Sequence, residues 1–445
     1  MKHKECSDAE CQICKNEKPF DLPQDIVDAI KRENLVIFAG AAISTENKLV
    51  YPFSLYEQIK NELKIKSYNG PFSELMSEYC IKNNGKRNLL NKIKDRFEYL
   101  HTFPELYREA SKFHKELATI YQIKEIITTN WDDLFERECG AIPIVIPEDF
   151  IFWDSPMRKI LKIHGSINNI GSIVATKEDY KKCYKNLQKN IIGSYLKTLL
   201  ATRTVIFVGY SFRDEEFNKI YKFLKSEMKE LNPHAYLVTL DSSSKDKFKN
   251  KNITVIETDA TYFIKILKEK LVECEYLLSD KIFEGIPNIL DFIIDEHNKI
   301  YERLSSNSYP EIHLTACYQD GLIHAFERIL STYKTGMNSN EEQIINSMHS
   351  YEHIIEDKEK KGLYHDVAYF EGYLNGISYL VFDEDQRKNL PIYFLFGVKK
   401  DIKTFRGYKK ILMDKRRKKH GPSYKYAKNL LLKKDGLVVH HTPFL

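Results

Sequence analysis

The chain has 445 residues and a formal net charge of +5, with 42% hydrophobic and 29% charged residues. This composition is typical of a globular protein of about three domains, and it excludes a fibrous or largely disordered chain. No segment approaches the ~18–20 unbroken apolar residues of a membrane helix, and the polar N-terminus lacks the apolar core of a signal peptide. We therefore expect a cytoplasmic protein without a membrane contact. Eight cysteines in a chain of this length do not indicate a disulfide framework.

The first 24 residues hold a separate group of potential metal ligands. His3, Cys6, Cys11 and Cys14 lie within twelve residues and supply the ligand types of a tetrahedral zinc site. The spacing Cys-x2-Cys fits such a site, but the other gaps match no standard zinc module, and chain ends fray. Two interpretations stay open at this point, a Cys3His zinc site and reduced thiols without a metal.

Residues 25–277 alternate between two sequence periods. Six runs of five or six residues, mostly apolar and often β-branched, predict strands that are buried on both faces, as in a parallel sheet. These runs are residues 35–39, 125–129, 160–164, 204–209, 235–240 and 253–257. Amphipathic segments at residues 104–121, 190–200 and 215–228 predict helices between them. The alternation predicts a Rossmann-like, doubly wound α/β domain, which binds ligands at the carboxyl edge of its sheet.

From residue 278 onward the sequence period is mainly helical, with one strand-like run at residues 392–397. The predicted helices are residues 286–304, 312–333, 341–356 and 365–379. Residues 401–445 contain 13 Lys/Arg against 3 Asp/Glu, which leaves the rest of the chain mildly acidic. This basic end either contacts the phosphates of a nucleic acid or forms a solvated helix face or a subunit contact. We expect residues 278–445 to form a mostly helical regulatory or assembly domain.

The first predicted strand ends in a turn of small residues that is suited to a phosphate. The segment GAAIST places Gly40, Ala41, Ala42, Ser44 and Thr45 directly after the strand. Small side chains let backbone N–H groups approach a pyrophosphate, and a helix start adds a favourable dipole. An ordinary tight turn between a strand and a helix explains the same residues.

Three further predicted strands end in polar residues. TTNWDD contains Asn130 and Asp132, and a helix cap accounts for either aspartate but not for Asn130. His164 ends the run at residues 160–164, where it is either a functional group or a core histidine. Gly209 and Ser211 follow the next strand, in a segment that an ordinary turn with a helix cap also explains.

In this order and spacing, the four segments resemble the sirtuin family, the NAD-consuming α/β enzymes related to silent-information-regulator proteins. GAAIS is similar to the family's G-A-G-I-S phosphate loop, with Ala42 where the second glycine is usual. TTNWD is similar to T-Q-N-I-D, KIHGS to the L-H-G element, and GYS to the late G-T/Y-S loop. The resemblance covers roughly residues 25–275.

The resemblance implies a role for each matched residue. It places Asn130 and Asp132 at the NAD-ribose and nicotinamide positions, and it makes His164 the catalytic histidine. Gly209 and Ser211 would face the adenosine half of NAD, while the loop after the first strand would hold the pyrophosphate.

Two departures from the family pattern separate this chain from its protein deacetylases. The segment between His164 and Gly209 contains a single cysteine, Cys183. The two Cys-x-x-Cys pairs that form the zinc site of the deacetylases are therefore missing. The usual G-I-P-D-F-R after the phosphate loop is replaced by KLVYPFS. Both losses resemble the divergent sirtuin-like branch of bacterial anti-phage defence, whose domain is similar to a plain NAD glycohydrolase.

That resemblance implies an enzyme that cleaves NAD to nicotinamide and ADP-ribose and thereby depletes the cell of NAD. It also implies a homo-oligomer held inactive until infection, by its own second domain or by a partner protein such as an ATPase or another sensor. Two alternatives stay open, an NAD-dependent deacylase or ADP-ribosyltransferase, and a non-catalytic sensor of NAD or ADP-ribose. Asn130 and His164 argue against the sensor, because a pure binding protein needs neither.

Overall fold

The computed structural model describes residues 16–66, 68–210, 218, 234–248, 252–433 and 440–443. The chain forms two compact units. The first runs to Cys274 and includes Lys334–Gly336, and the second holds Glu275–Tyr333 and the chain from Met337 onward. None of the helices in the described parts is long and apolar enough to cross a lipid bilayer.

The first unit is built on one parallel sheet. Its strands are β1 (Leu35–Ala39), β2 (Glu125–Thr128), β3 (Ile142–Ile144), β4 (Lys159–Lys162), β5 (Thr204–Val208), β6 (Ala235–Thr239) and β7 (Ile253–Glu257). They pair in parallel in the order β3-β4-β2-β1-β5-β6-β7. The predicted Rossmann-like, doubly wound sheet is therefore confirmed. Only β3 was not predicted, since it is a three-residue edge strand interrupted by Pro143.

The helices of the first unit follow local sequence signals. They are α1 (Gln24–Lys31), α2 (Leu55–Glu62), α3 (Phe72–Lys82), α4 (Arg87–Thr102), α5 (Pro104–Ala118), α6 (Leu134–Cys139), α7 (Lys177–Leu187), α8 (Ile191–Thr202), α9 (Ser244–Phe248) and α10 (Ala260–Glu273). Helices α2 and α7 begin in capping boxes, Ser54 with Glu57 and Thr176 with Asp179, which satisfy otherwise unpaired N–H groups. The helix predicted at residues 215–228 lies, apart from residue 218, outside the described residues.

The central position of β1 sets the expected location of a ligand site. The chain passes from β1 to β2 on one side of the sheet and later returns to β5 on the other side of β1. The connections that leave β1 and β5 therefore run in opposite directions, which makes their carboxyl ends a topological switch point where such sheets bind ligands. Both strands are almost fully buried, so polar groups are presented only beyond their ends.

The second unit is a helical assembly, as predicted from the sequence. Its helices are α11 (Asp280–Glu284), α12 (Ile286–Arg303), α13 (Ile312–Thr332), α14 (Glu341–Lys360), α15 (Tyr364–Ser378), α16 (Glu384–Lys388), α17 (Phe405–Met413) and α18 (Gly421–Lys433). Helices α13 and α15 pack with their backbones in close contact. A Cβ on Gly321 would lie 2.0 Å from the Tyr369 carbonyl oxygen, and a Cβ on Gly372 would lie 1.9 Å from that of Tyr318. Glycine is therefore required at both helix positions.

The strand predicted at residues 392–397 is wrong, because this run forms only an isolated bridge. Side chains of α13 bind its backbone instead of a neighbouring strand. Gln319 Nε2 donates to the Ile392 carbonyl at 3.2 Å, and Thr315 Oγ1 donates to the Phe394 carbonyl at 2.8 Å. The apolar run is therefore buried against helices, and the sequence period alone does not distinguish that environment from a sheet.

Candidate functional site

Two glycine-containing turns meet beyond the ends of β1 and β5. Gly40 N donates to the Val208 carbonyl at 2.8 Å, and Ala42 N donates to the Gly209 carbonyl at 3.3 Å. A Cβ on Gly40 would lie 2.3 Å from the Gly209 carbonyl oxygen, and Gly209 has a φ of +58°. Gly40 is therefore required for close approach and Gly209 for its left-handed backbone. The two predicted NAD-binding turns thus contact each other directly.

The turn after β1 is not the start of a long helix. Ala41–Ile43 forms a single 3₁₀ turn, and the next α-helix of the chain is α2. The expectation of a helix dipole at this turn is therefore wrong, because so few peptide dipoles are aligned. Ser44 N and Glu46 N both donate to the Ala41 carbonyl, at 3.1 and 3.0 Å. A pyrophosphate held here would rely on close backbone approach.

Ser44, Asn130 and Asp132 form a compact polar group at the ends of β1 and β2. Ser44 Oγ donates to Asp132 Oδ2 at 2.9 Å, and Asn130 Nδ2 donates to Ser44 Oγ at 3.5 Å. Asp132 Oδ1 accepts from Leu134 N, the first residue of α6, at 3.3 Å; this is an Asx-turn contact, made one residue before the N-cap residue Asp133. Asp132 thus joins the turn after β1 to α6.

The Asn130 side chain has one unused acceptor. The residue is only 4% exposed, and its Oδ1 has no hydrogen-bond partner in the part of the chain that the structure describes. Its backbone N donates to Thr128 Oγ1 at 3.0 Å, which fixes the chain where β2 ends. A buried amide oxygen without a donor costs about 1–3 kcal/mol, and a ligand hydroxyl or a water that donates to it would remove that cost.

His164 lies just beyond β4, next to the segment that carries Asn130. On the N-terminal side of the histidine, Ile163 N donates to the Thr128 carbonyl at 3.0 Å. On its C-terminal side, Ile167 N donates to the Trp131 carbonyl at 2.8 Å. These bonds join the two segments on both sides of His164, so the structure brings the predicted catalytic residues to neighbouring strand ends.

The His164 ring is buried against helix α7. Its Nε2 lies 3.1 Å from the Tyr184 hydroxyl, and its centroid lies 4.9 Å from that of the Tyr180 ring. Gly165 follows with a φ of +87°, and a Cβ there would lie 2.2 Å from the Ser172 carbonyl oxygen. Tyr184 therefore orients the ring. Sequence reasoning missed it, because no motif links a residue on α7 to the end of β4.

Lys162, which sequence reasoning did not single out, lies completely buried beneath this edge. Its Nζ donates to the Asp132 carbonyl and forms an ion pair with Glu136 at 2.8 Å. Burial raises the pKa of the Glu136 carboxyl, and the Lys162 charge opposes that rise. A lysine inside the apolar run ILKIH was the available signal, since a buried charge requires a partner.

Arg96 on α4 holds the segment that follows the turn after β1. Its guanidinium donates to the Thr45 carbonyl at 3.0 Å and to the Phe53 carbonyl at 3.1 Å, and it lies over the Tyr51 ring at 3.8 Å from the centroid. Burial raises the pKa of Glu46, while the Arg96 charge lowers it. Arg96 thus supports the predicted site residue Thr45 from a distant part of the sequence.

His114 on α5 is a fully buried histidine below the same edge. Its ring packs against Phe135 with 4.3 Å between centroids. Burial lowers the pKa of His114 to about 4, and the nearby charge of Asp132 acts in the opposite direction. His114 is therefore neutral at physiological pH.

Several predicted site residues lie outside the described residues. They are Ser211, His3, Cys6, Cys11 and Cys14. The adenosine contact of Ser211 and the choice between an N-terminal zinc site and free thiols therefore stay predictions. The chain between His164 and Gly209, where deacetylases carry their zinc ligands, includes the helices α7 and α8.

The basic end of the chain is helical over α17 and α18, and part of it lies outside the described residues. Arg417 is buried and forms an ion pair with Glu311, so its charge is used within the unit. Lys419 lies over the Tyr424 ring at 4.3 Å from the centroid. Contact between this segment and a nucleic acid stays a prediction.

The carboxyl edge of β1, β2 and β4 therefore presents an amide, a hydroxyl, a carboxylate and an imidazole beside the contact between Gly40 and Gly209. Amide and hydroxyl groups both donate and accept hydrogen bonds, which suits them to ribose hydroxyls. An imidazole accepts a proton near neutral pH. The arrangement is chemically suited to bind a nucleotide and to activate water next to it.

Comparison with known proteins identifies the same region. Residues 124–264 match the model of the SIR2-like domain; this stretch begins at β2 and excludes the turn after β1. The chain is 28% identical over 205 residues to the NAD(+) hydrolase ThsA of Cytobacillus dafuensis, which covers 45% of this chain and 40% of that protein. It is 30% identical over 210 residues to the NAD(+) hydrolase ThsA of Enterococcus faecium, which covers 46% of this chain and 42% of that protein.

A longer match is to Defense-associated sirtuin 2 of Bacillus subtilis, at 22% identity over 320 residues, which covers 68% of this chain and 30% of that protein. The matches thus span less than half the length of each of these three relatives. The predicted resemblance to sirtuin-like proteins is confirmed: residues 124–264 match a SIR2-like domain, and parts of the chain are similar to NAD(+) hydrolases and to a defence-associated sirtuin.

Proposed function

We propose that the first unit is an NAD glycohydrolase, which cleaves NAD to nicotinamide and ADP-ribose. Similarity to proteins named NAD(+) hydrolase supports this reaction, as does the SIR2-like match. The observation that carries the proposal is the unsatisfied Asn130 Oδ1, buried beside Ser44 and Asp132 at the end of β2, next to the switch point of the sheet. A buried acceptor at this edge is suited to a hydroxyl of the nicotinamide ribose or to the attacking water.

The reaction makes limited demands on the protein. The N-glycosidic bond of NAD breaks with nicotinamide leaving as a neutral molecule, so it needs no general acid of the kind that O-glycosides require. The site must position the ribose, exclude bulk water and stabilise an oxocarbenium-like centre. Asn130 positions the ribose or the water, and His164, oriented by Tyr184, accepts the proton from water or from a ribose hydroxyl.

The Gly40–Gly209 contact positions the pyrophosphate in this proposal. Its two turns have little side-chain bulk, so a phosphate can approach the backbone closely. The pyrophosphate is then held by Gly40, Ala41, Ala42, Ser44 and Thr45, and the adenosine half of NAD faces Gly209 and Ser211. Asp132 acts mainly by holding Ser44 and α6 in place, because both of its carboxylate oxygens already accept protein hydrogen bonds.

We further propose a role in defence, by depletion of NAD during infection. The name of the Bacillus subtilis relative supports this role. A constantly active NAD hydrolase would deplete its own host cell, so activity must be gated. The helical second unit, self-association or a separate partner protein would supply that gate.

Two measurements test the proposed reaction. Purified protein is incubated with NAD, and nicotinamide, ADP-ribose and modified protein are quantified by chromatography and mass spectrometry. NAD is also measured in cells that express the wild type or Asn130→Ala, so that a cellular activator is available. Equal amounts of nicotinamide and free ADP-ribose support hydrolysis, whereas ADP-ribose attached to protein indicates a transferase. Tight NAD binding without turnover in either setting would favour the sensor.

A further inference from the structure

The second unit contains a cluster of three potential metal ligands, His297 on α12, Asp320 on α13 and His440 in the last described segment. His297 and Asp320 are buried, whereas the His440 side chain is 54% exposed. The two histidines and the aspartate are separated by up to 143 positions in the chain. They meet only because the segment at His440 lies against α12 and α13.

The three ligand atoms form a nearly equilateral triangle. His297 Nε2 lies 3.0 Å from His440 Nδ1, and Asp320 Oδ1 lies 3.4 Å from each of these nitrogens. A tetrahedral zinc ion, with bonds of about 2.05 Å, places its donor atoms about 3.3 Å apart. The triangle therefore has the size of one face of a zinc coordination tetrahedron, and the exposed side of His440 leaves the fourth position open to solvent.

Hydrogen bonding alone explains this triangle poorly. Each neutral imidazole carries one N–H, so the two histidines have two protons to donate between them. Hydrogen bonds can therefore account for at most two of the three contacts between the two nitrogens and the Asp320 oxygen. The two contacts to Asp320 Oδ1, at 3.4 Å, are also longer than the usual 2.7–3.2 Å of an N–H···O bond. A cation at the centre would satisfy all three atoms at once.

A neighbouring cluster shows the contrasting arrangement. Asp366 Oδ1 lies 3.0 Å from His365 Nε2 and 3.1 Å from His441 Nε2. Its other oxygen accepts from Lys358 Nζ at 2.8 Å, and the Tyr426 hydroxyl bonds to His365 Nδ1. These contacts have hydrogen-bond lengths, and Lys358 neutralises the carboxylate, so this cluster needs no metal.

Asp320 lacks such a neutralising side chain. Among the described residues its ion pairs are with His297 and His440. Its Oδ2 accepts from the backbone N of His441 at 2.7 Å, which directs Oδ1 toward the two histidines. Hydrogen bonds of this kind orient the ligands of metal sites.

We propose that His297, Asp320 and His440 bind a divalent transition metal, with Zn²⁺ the best match to two imidazoles and one carboxylate. Water or another ligand completes the tetrahedron. The metal ties the segment at His440 to α12 and α13 without taking part in NAD chemistry. This site is separate in sequence from the His3, Cys6, Cys11 and Cys14 group, and it does not depend on the proposed function.

The test uses the full chain with Cys6→Ser, Cys11→Ser and Cys14→Ser, which removes the three N-terminal thiols from the comparison. The protein is stripped with a chelator and titrated with ZnCl₂ by calorimetry, and retained zinc is counted by mass spectrometry after dialysis. His440→Gln is the main variant, because the exposed side chain can be replaced without disturbing the core. His349→Gln, an exposed histidine on α14, is the matched control.

We expect one zinc per chain in the parent protein and in His349→Gln. His440→Gln should weaken zinc binding on the order of 10²-fold, and Asp320→Asn should abolish the rise in Tm that zinc causes. Cobalt should give the visible spectrum of a tetrahedral site without a thiolate charge-transfer band. A parent protein that retains no zinc, or His440→Gln that binds zinc as the parent does, would overturn the proposal.

Discussion

In the first unit, glycine brings two loops together beside the end of a sheet, whereas in the second unit it brings two helices together along their length. Gly40 and Gly209 remove side chains from a backbone contact at the switch point. Gly321 and Gly372 remove them from the contact between α13 and α15. The absence of a Cβ thus lets two loops meet at the proposed NAD site in one unit and lets two helices pack closely in the other. Changes near the first pair should alter chemistry, and changes at the second should alter stability.

The largest expected effect is on catalysis in the first unit. Asn130→Ala and His164→Ala should each lower kcat for NAD cleavage by ~10²–10⁴, the usual contribution of one positioned catalytic group. Thermal unfolding of Asn130→Ala should change little, because its Oδ1 has no partner among the described residues, whereas His164→Ala should lower Tm because it loses the contacts of the ring with Tyr180 and Tyr184. Nicotinamide release is measured for both variants, with the exposed Asn88→Ala on α4 as the control. Undiminished cleavage in both variants would mean that the active site lies elsewhere.

The next effect is a loss of stability in acid that arises in the first unit. The pKa of His114 is about 4 in the folded protein because of burial, whereas an unfolded histidine has a pKa of about 6.5. As the pH falls below 6.5, the unfolded chain takes up the proton first, so stability that is fully present above pH 6.5 is lost progressively toward pH 4. The loss should reach up to ~3 kcal/mol.

Urea unfolding between pH 7.5 and 4.5 measures this dependence. His114→Leu, which replaces the ring with an apolar side chain, should flatten the stability profile of the first unit over this interval. Equal slopes in the wild type and in His114→Leu would show that other groups control the acid sensitivity.

A change at the helix contact tests the second unit. Gly372→Ala adds a methyl group against the Tyr318 carbonyl, and such overpacking costs about 1–3 kcal/mol. Gly421→Ala at the start of α18 is the matched control, because a Cβ there would have none of the described atoms within 4 Å beyond its chain neighbours. The control should be neutral or more stable by up to ~1 kcal/mol, since alanine favours helices.

Differential scanning calorimetry and NAD turnover are measured on the same preparations. Gly372→Ala should lower Tm while the activity per folded molecule stays unchanged. A Gly372→Ala protein with normal Tm but altered NAD turnover would contradict the separation of packing and chemistry between the units.

The smallest effect distinguishes two roles of Asp132. Asp132→Asn keeps a carbonyl oxygen for Leu134 N but removes the charge that accepts from Ser44 Oγ. We expect a stability loss of about 1 kcal/mol and less than about a tenfold change in KM for NAD, because the carboxylate is already engaged by the protein. A far larger rise in KM with unchanged Tm would instead assign a ribose hydroxyl to Asp132.

The polar residues at the strand ends were predictable because each directly follows its strand in the sequence. In β2 and β4, an apolar run leads directly into Asn130 or His164, and parallel strands place such ends at one edge. The supporting side chains were not predictable, since Arg96 and Tyr184 reach the site from α4 and α7. No period or motif connects them to the residues that they hold.

In the second unit, the sequence contains fewer signals that predict which helices pack together. The pattern of α12, α13 and α15 was sufficient to predict helices, but it does not show which faces meet. His297, Asp320 and His440 therefore had no recognisable spacing, and the HH pair at residues 440–441 had no evident role. The apolar run at 392–397 was misinterpreted for the same reason, because its backbone is satisfied by side chains of α13.

The contact between Gly40 and Gly209 also limits how this protein can diverge. A substitution at Gly40 meets the Gly209 carbonyl, and no second substitution at Gly209 can create room, because glycine has no side chain to shorten. Two positions 169 residues apart must therefore be inherited together. A lineage that lost either glycine would have to shift the ends of β1 and β5, and the arrangement of the polar groups beside them would shift as well.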